Sequence, residues 1–156
     1  MPLKNNRLNN ILFPVWLFYL LPTGAWLIIL PANFLIDSTV LVLAARKLGI
    51  KEKQLWKQSI LRIWIIGFMS DILGALLILA VALLTDTVFP DWNTFYFPGA
   101  TAIAVPGVLL SAICIYFINR RFAFRNTDLD DAAIVKLCRV LAIITAPYAM
   151  LIPLYG

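Results

Sequence analysis

Two aspartates interrupt segments that are otherwise apolar, and they are the residues best placed to do chemistry. Asp37 lies in the run from Ile11 to Ala45, and Asp71 in the run from Ile60 to Leu84. Asp37 stands nine positions before Arg46, and Asp71 nine positions after Arg62. At 1.5 Å per helical residue, each offset is roughly 13 Å, close to the midplane of a hydrocarbon core about 30 Å thick. An acid at that depth is expensive, and such residues are as a rule functional or paired. Two antiparallel helices joined by a short loop bring equal offsets to equal depth, so the two carboxyls can meet. At short range they share a proton, because both ionise only against their mutual repulsion.

The neighbours of these acids extend the pattern. Asn33 precedes Asp37 by four residues and so shares its helix face. Ser38 is adjacent. Gly67, Ser70, Asp71, Gly74 and Ala75 form a strip of small residues, which lets helices approach closely. Asn33, Asp37, Ser38, Ser70 and Asp71 therefore make a candidate oxygen-lined site for a proton or small cation. The competing reading is structural: an acid pair, or Asp against Asn, can hold helices together without moving anything. A third pairs an acid with a basic residue of a neighbouring helix or subunit, with Lys136 and Arg139 as candidates.

The elements that position these residues are membrane helices. The chain is 62% apolar and only 13% charged, whereas soluble domains are nearer half apolar and about a quarter charged. Its 156 residues are used up by four or five helices and short loops, leaving one transmembrane domain over 1–156. The spans are expected at about 25–47, 60–84, 100–118 and 130–152, after a short first helix at about 11–21. The fold class is thus an all-α polytopic bundle: a short N-terminal helix or hairpin plus four transmembrane helices.

The first apolar stretch needs the hairpin. From Ile11 to Ala45 it would measure about 50 Å as one helix, too long for one span and too short for two full ones. Pro22-Thr23-Gly24 is strong turn punctuation. The alternative is an outside N-terminus and a single tilted helix kinked at Pro22 and Pro31.

Charge sets the orientation. Arg46 to Arg62 and Asn119 to Arg125 are basic, while Thr85 to Gly99 has no Lys or Arg and carries Asp86 and Asp91. Cytoplasmic loops collect Lys and Arg. Lys4 and Arg7 therefore put the N-terminus inside, and four spans put the C-terminus outside, most simply in a bacterial inner membrane. The net charge of +5 reads as this topology signal together with attraction to anionic inner-leaflet lipids, and not as a nucleic-acid surface.

Between the spans, Gly49 to Ser59 is expected as a cytoplasmic loop with an interfacial turn of helix around Trp56. Phe89, Trp92, Phe95, Tyr96 and Phe97 are expected as an aromatic anchor outside. Pro106-Gly107 is expected to kink its helix. Thr127 or Asp128 is expected to cap the last helix, with Asp130 and Asp131 in its first turn. Pro147 and Pro153 should break that helix near its end.

Enzyme signals are weak. The chain contains no histidine, which removes the commonest general base and metal ligand together. Cys114 and Cys138 sit in different apolar segments and read as free, buried thiols. No glycine-rich phosphate loop or metal-ligand spacing occurs, so neither an enzyme nor a bound cofactor is expected. The stretch Tyr116–Arg125, ending Asn-Arg-Arg-Phe-Ala-Phe-Arg, is similar to a short motif of small four-helix bacterial proteins thought to flip polyprenyl-linked sugars. That family has the motif after its second helix, whereas here it precedes the last, so no function or site is carried over. The sequence leads to a small proton or cation channel or transporter, homo-oligomeric because few helices enclose little volume. The alternative is a non-catalytic structural subunit or assembly factor working with other membrane subunits.

Overall fold

The computed structural model describes residues 15–92, 94 and 96–153. Lys4, Arg7, Phe95 and the start of the expected first helix lie outside the described residues. Among those described, the chain is mostly helical and has no strand: α1 (Leu17–Leu20), α2 (Trp26–Lys47), α3 (Glu52–Val88), α4 (Gly99–Ile118) and α5 (Asp131–Ile144). A π-helical turn, Asn119–Ala123, extends α4, and a 3₁₀ turn, Tyr148–Leu151, follows α5. Among the described residues, four helical stretches are long and apolar enough to cross a membrane: Trp26–Lys47, Glu52–Val88, Gly99–Ala123 and Asp131–Leu151. The protein is an all-α membrane helix bundle. Large apolar side chains such as Leu27, Leu35, Leu61 and Leu109 face outward, as lipid-facing residues do.

Each helix starts and stops for a local reason. At Leu21–Gly24 the chain turns, with Thr23 N–H bonded to the Leu21 carbonyl and Trp26 N–H to that of Thr23. The indole of Trp26 then donates to the Phe18 carbonyl at 2.8 Å, tying α1 back to α2. The loop expected at Gly49–Ser59 is much shorter. Helix α3 already begins at Glu52, after a turn whose Gly49 has φ +69°, the left-handed region that glycine enters without penalty. At 37 residues, α3 is about 55 Å long and overshoots the hydrocarbon at its ends.

Helix α4 continues through Pro106 without ending. The cap of α5 is Asp130, whose side chain accepts the Ala133 N–H at 3.3 Å. The expected cap, Thr127, instead closes the preceding turn by donating its hydroxyl to the Phe124 carbonyl at 2.7 Å.

The last span is broken further in than a continuous helix over 130–152 would be. Helix α5 ends at Ile144, and residues 145–147 are not helical. Pro147 has no N–H to give the Ile143 carbonyl four residues back. The Tyr148 hydroxyl supplies the missing donor at 2.6 Å.

Two apolar clusters fill the bundle. One contains Leu41, Ala45, Leu55, Ile63, Ile115, Phe124, Leu137 and Leu141, and it joins the helix ends that carry the basic residues. The other contains Trp16, Tyr19, Ala75, Ile78, Ala104, Val108, Ala146 and Met150, toward the end that carries Asp86 and Asp91. The largest helix interface is between α3 and α4. It closes around glycine: a Cβ on Gly74 would stand 2.6 Å from the Gly107 carbonyl oxygen. The small strip of α3 thus packs against other helices of the same chain.

Candidate functional site

The two acids lie in the layer between these clusters. Asp37 and Asp71 are both buried, at 4% and 3% exposure, among apolar helices. They line one cavity of about 330 Å³, together with Tyr19, Asn33, Gly67 and the broken segment Thr145–Pro147. Helices α2 and α5 meet at the basic end through Leu41, Ala45, Leu137 and Leu141. Beyond Asp37 and Thr145 they part, and the cavity occupies the gap. Its rim carries the exposed Ile28, Ile36, Ile144 and Tyr148.

The acids are not equivalent. Asp71 is a three-helix node: Ser111 of α4 donates its hydroxyl to Oδ1 at 2.7 Å, and Asn33 of α2 approaches Oδ2 at 3.4 Å. Asp37 lies over Gly67, one helical turn before Asp71. A Cβ added at Gly67 would stand 3.2 Å from Asp37 Oδ2, so the carboxyl packs closely against this glycine. Across the cavity Asp37 faces the Thr145 side chain. The Thr145 hydroxyl itself donates to the Leu141 carbonyl at 2.9 Å, which also takes the Thr145 N–H.

Of the five candidate residues, Asn33, Asp37 and Asp71 come together at this cavity, and Ser38 and Ser70 do not line it. Ser70 is fully buried and donates to the Ile66 carbonyl of its own helix at 2.7 Å. Ser38 has a buried hydroxyl without a hydrogen-bond partner. A residue next in sequence to Asp37 is rotated about 100° around the helix, so adjacency does not bring it to the same face. Lys136 and Arg139 belong to the part of α5 at the basic end, and neither is paired with either acid.

Three contributors were not anticipated: Ser111, Tyr19 and Thr145. Ser111 had a signal, because it stands eight residues before Asn119, almost the offset of the two aspartates from their basic ends. Tyr19 stands beside Asn33 and Asp71, brought there by the α1–α2 turn. Thr145 had only its closeness to Pro147.

The arrangement offers oxygen ligands and exchangeable protons in a largely apolar setting. Two carboxyls, a carboxamide, three hydroxyl-bearing side chains (Tyr19, Thr145 and Tyr148) and an interrupted helix surround one small volume. Non-helical backbone at membrane depth is tolerated where it lines a cavity or is covered by protein. The Ile144 carbonyl is released by the break, because the N–H of Tyr148 turns to Ala146 instead. No group of three or more metal-ligating side chains occurs among the described residues.

Fold and site together define a small polytopic membrane protein with a buried acidic layer. In comparison with known proteins, no family model, no curated protein and no solved structure matches this chain.

Proposed function

We propose that this protein binds a proton or small cation at Asp37 and Asp71 and passes it across the membrane, without enzymatic chemistry. The observation that carries this reading is the shared cavity between two buried carboxyls and a broken helix. The cavity lies where α2 and α5 part, with the exposed Ile28, Ile36, Ile144 and Tyr148 at its rim, and toward the basic end the bundle is filled by Leu41, Ile63, Leu137 and Leu141, all essentially inaccessible. With the positive-inside rule, this reading takes the filled end as cytoplasmic, with the N-terminus inside, the C-terminus outside and a bacterial inner membrane as the host. Assembly into a homo-oligomer would supply the extra helices a conducting path needs.

The test is flux in liposomes. Purified protein is reconstituted with a dye sensitive to the tested ion inside, and a potential is imposed with proton, sodium or potassium as the only permeant ion. The wild type should conduct one of them, and Asp37→Asn should abolish it while remaining folded. Flux no greater than in protein-free vesicles, or unchanged flux in folded Asp37→Asn, overturns the proposal.

A second reading is favoured by the Ser111–Asp71–Asn33 contacts. They bind α2, α3 and α4 together in the way polar residues hold membrane helices without transport. In that case the chain is a structural subunit or assembly factor. It would show no flux and would become unstable when purified without its partner subunits.

A further inference from the structure

A second cavity lies at the basic end, away from the acids. It measures about 330 Å³ and is lined by Arg62 of α3 with Phe122, Arg125 and Asn126 from the end of the α4 extension. Nη1 of Arg62 is buried and has no hydrogen-bond partner. The acidic groups of this end are engaged elsewhere or stand apart. Glu52 pairs with Arg46, Asp131 with Arg120, and Asp130 caps α5. Asp128 lines a different cavity with Lys51 and Gln58. Among the described residues, neither Arg62 nor Arg125 has a carboxylate partner, so two guanidinium groups border one hollow with their charge uncompensated.

A buried donor left without an acceptor is costly, more so when it is charged. Something anionic with oxygen acceptors relieves that cost, and the planar guanidinium fork matches phosphate oxygens in pairs. Depth says what carries the phosphate. Arg62 lies nine residues from Asp71, roughly 13 Å along the helix, which is the inner edge of the hydrocarbon where headgroups begin. Phe122, 49% exposed, gives the hollow an apolar wall. The π-helical turn and the Thr127–Phe124 turn after it hold Arg125 and Asn126 at the opening, and π-helical turns are frequent at functional sites.

We propose that this cavity binds the phosphate group of an anionic membrane lipid. The guanidinium groups of Arg62 and Arg125 grip it, the Asn126 amide adds a neutral donor, and Phe122 lies against the start of the acyl chains. This site does not depend on the transport reading. Free inorganic phosphate offers the same oxygens but no apolar portion.

The test measures phosphatidylglycerol binding to the purified full-length protein in phosphatidylcholine nanodiscs, by native mass spectrometry and thermal protection. Two variants that remove equal charge are compared: Arg62→Gln with Arg125→Gln in the cavity, and Arg121→Gln with Lys136→Gln on exposed positions outside it. The cavity pair should lose at least about tenfold more affinity than the control pair, the scale of a lost charge-assisted hydrogen bond. Inorganic phosphate at millimolar concentration should neither protect the protein nor displace the lipid. Equal losses from the two pairs would reduce the binding to diffuse surface attraction and overturn the proposal. Displacement by inorganic phosphate would overturn the lipid assignment. If Arg62→Gln does not fold, the exposed Arg125→Gln against Arg121→Gln makes the same comparison.

Discussion

Ser111 donates its hydroxyl to Asp71 at 2.7 Å across the largest helix interface among the described residues. The bond joins the only serine of α4 to the mid-helix acid of α3, and Asn33 meets the other carboxyl oxygen from α2. Asp37, at the same layer, has no such tie to α4 and faces the cavity instead. One acid is built into the scaffold and the other is presented to the open space.

That difference predicts a split between stability and flux. Ser111→Ala leaves Asp71 Oδ1 without its donor and should destabilise the detergent-solubilised protein by about 1 kcal/mol, in line with interhelical hydrogen bonds in membranes. Asp37→Asn should leave stability nearly unchanged while abolishing flux. Unfolding titrations of both variants in mixed micelles measure the first part. A Ser111→Ala protein as stable as wild type would show that the bond contributes nothing to packing.

Gly74 is the second point of contact between α3 and α4. Gly74→Leu cannot fit, since even a Cβ would stand 2.6 Å from the Gly107 carbonyl oxygen and 3.2 Å from Ser111 Cβ. Overpacking of this kind typically costs about 1–3 kcal/mol, and here backbone is the obstacle. The folded fraction after purification should fall sharply, with the loss appearing within the single chain. A mutant that folds normally but changes only its oligomeric state would contradict the packing described for this glycine.

The break after α5 makes a prediction about Pro147 and Tyr148. Tyr148→Phe removes the side-chain donor to the Ile143 carbonyl and should lower stability by about 0.5–1.5 kcal/mol. Pro147→Ala restores an N–H at the position that carbonyl would normally use, so helix α5 should extend into the break and narrow the cavity. Circular dichroism and amide exchange report the extension. Continued fast exchange at residues 145–149 in Pro147→Ala would show that the break has another cause.

Orientation is testable without function. Gln54 and Asp91 are both exposed, at opposite ends of α3 and its following loop. A cysteine replacing Asp91 should react with a membrane-impermeant maleimide from outside intact cells. One replacing Gln54 should react only after permeabilisation. The opposite pattern would invert the whole topology.

The spans, the basic end and the mid-depth acids were legible in the sequence because hydropathy and charge accumulate locally along a chain. A run of apolar residues is long enough to cross a membrane or it is not, and Arg62 and Asp71 are nine residues apart whatever packs around them. Rotation about the helix axis is another matter. In helices α2, α3 and α4 the apolar residues are not gathered on one side, so no hydrophobic stripe marks their inner face. Close packing chose that face, and with it chose Ser111 rather than Ser38 or Ser70 as the partner in the acidic layer. It also brought Tyr19 and Thr145 to the cavity from elements far apart in the chain, and set Arg62 beside Arg125. Such neighbours depend on how whole helices turn and lean against one another, which only the tertiary structure decides.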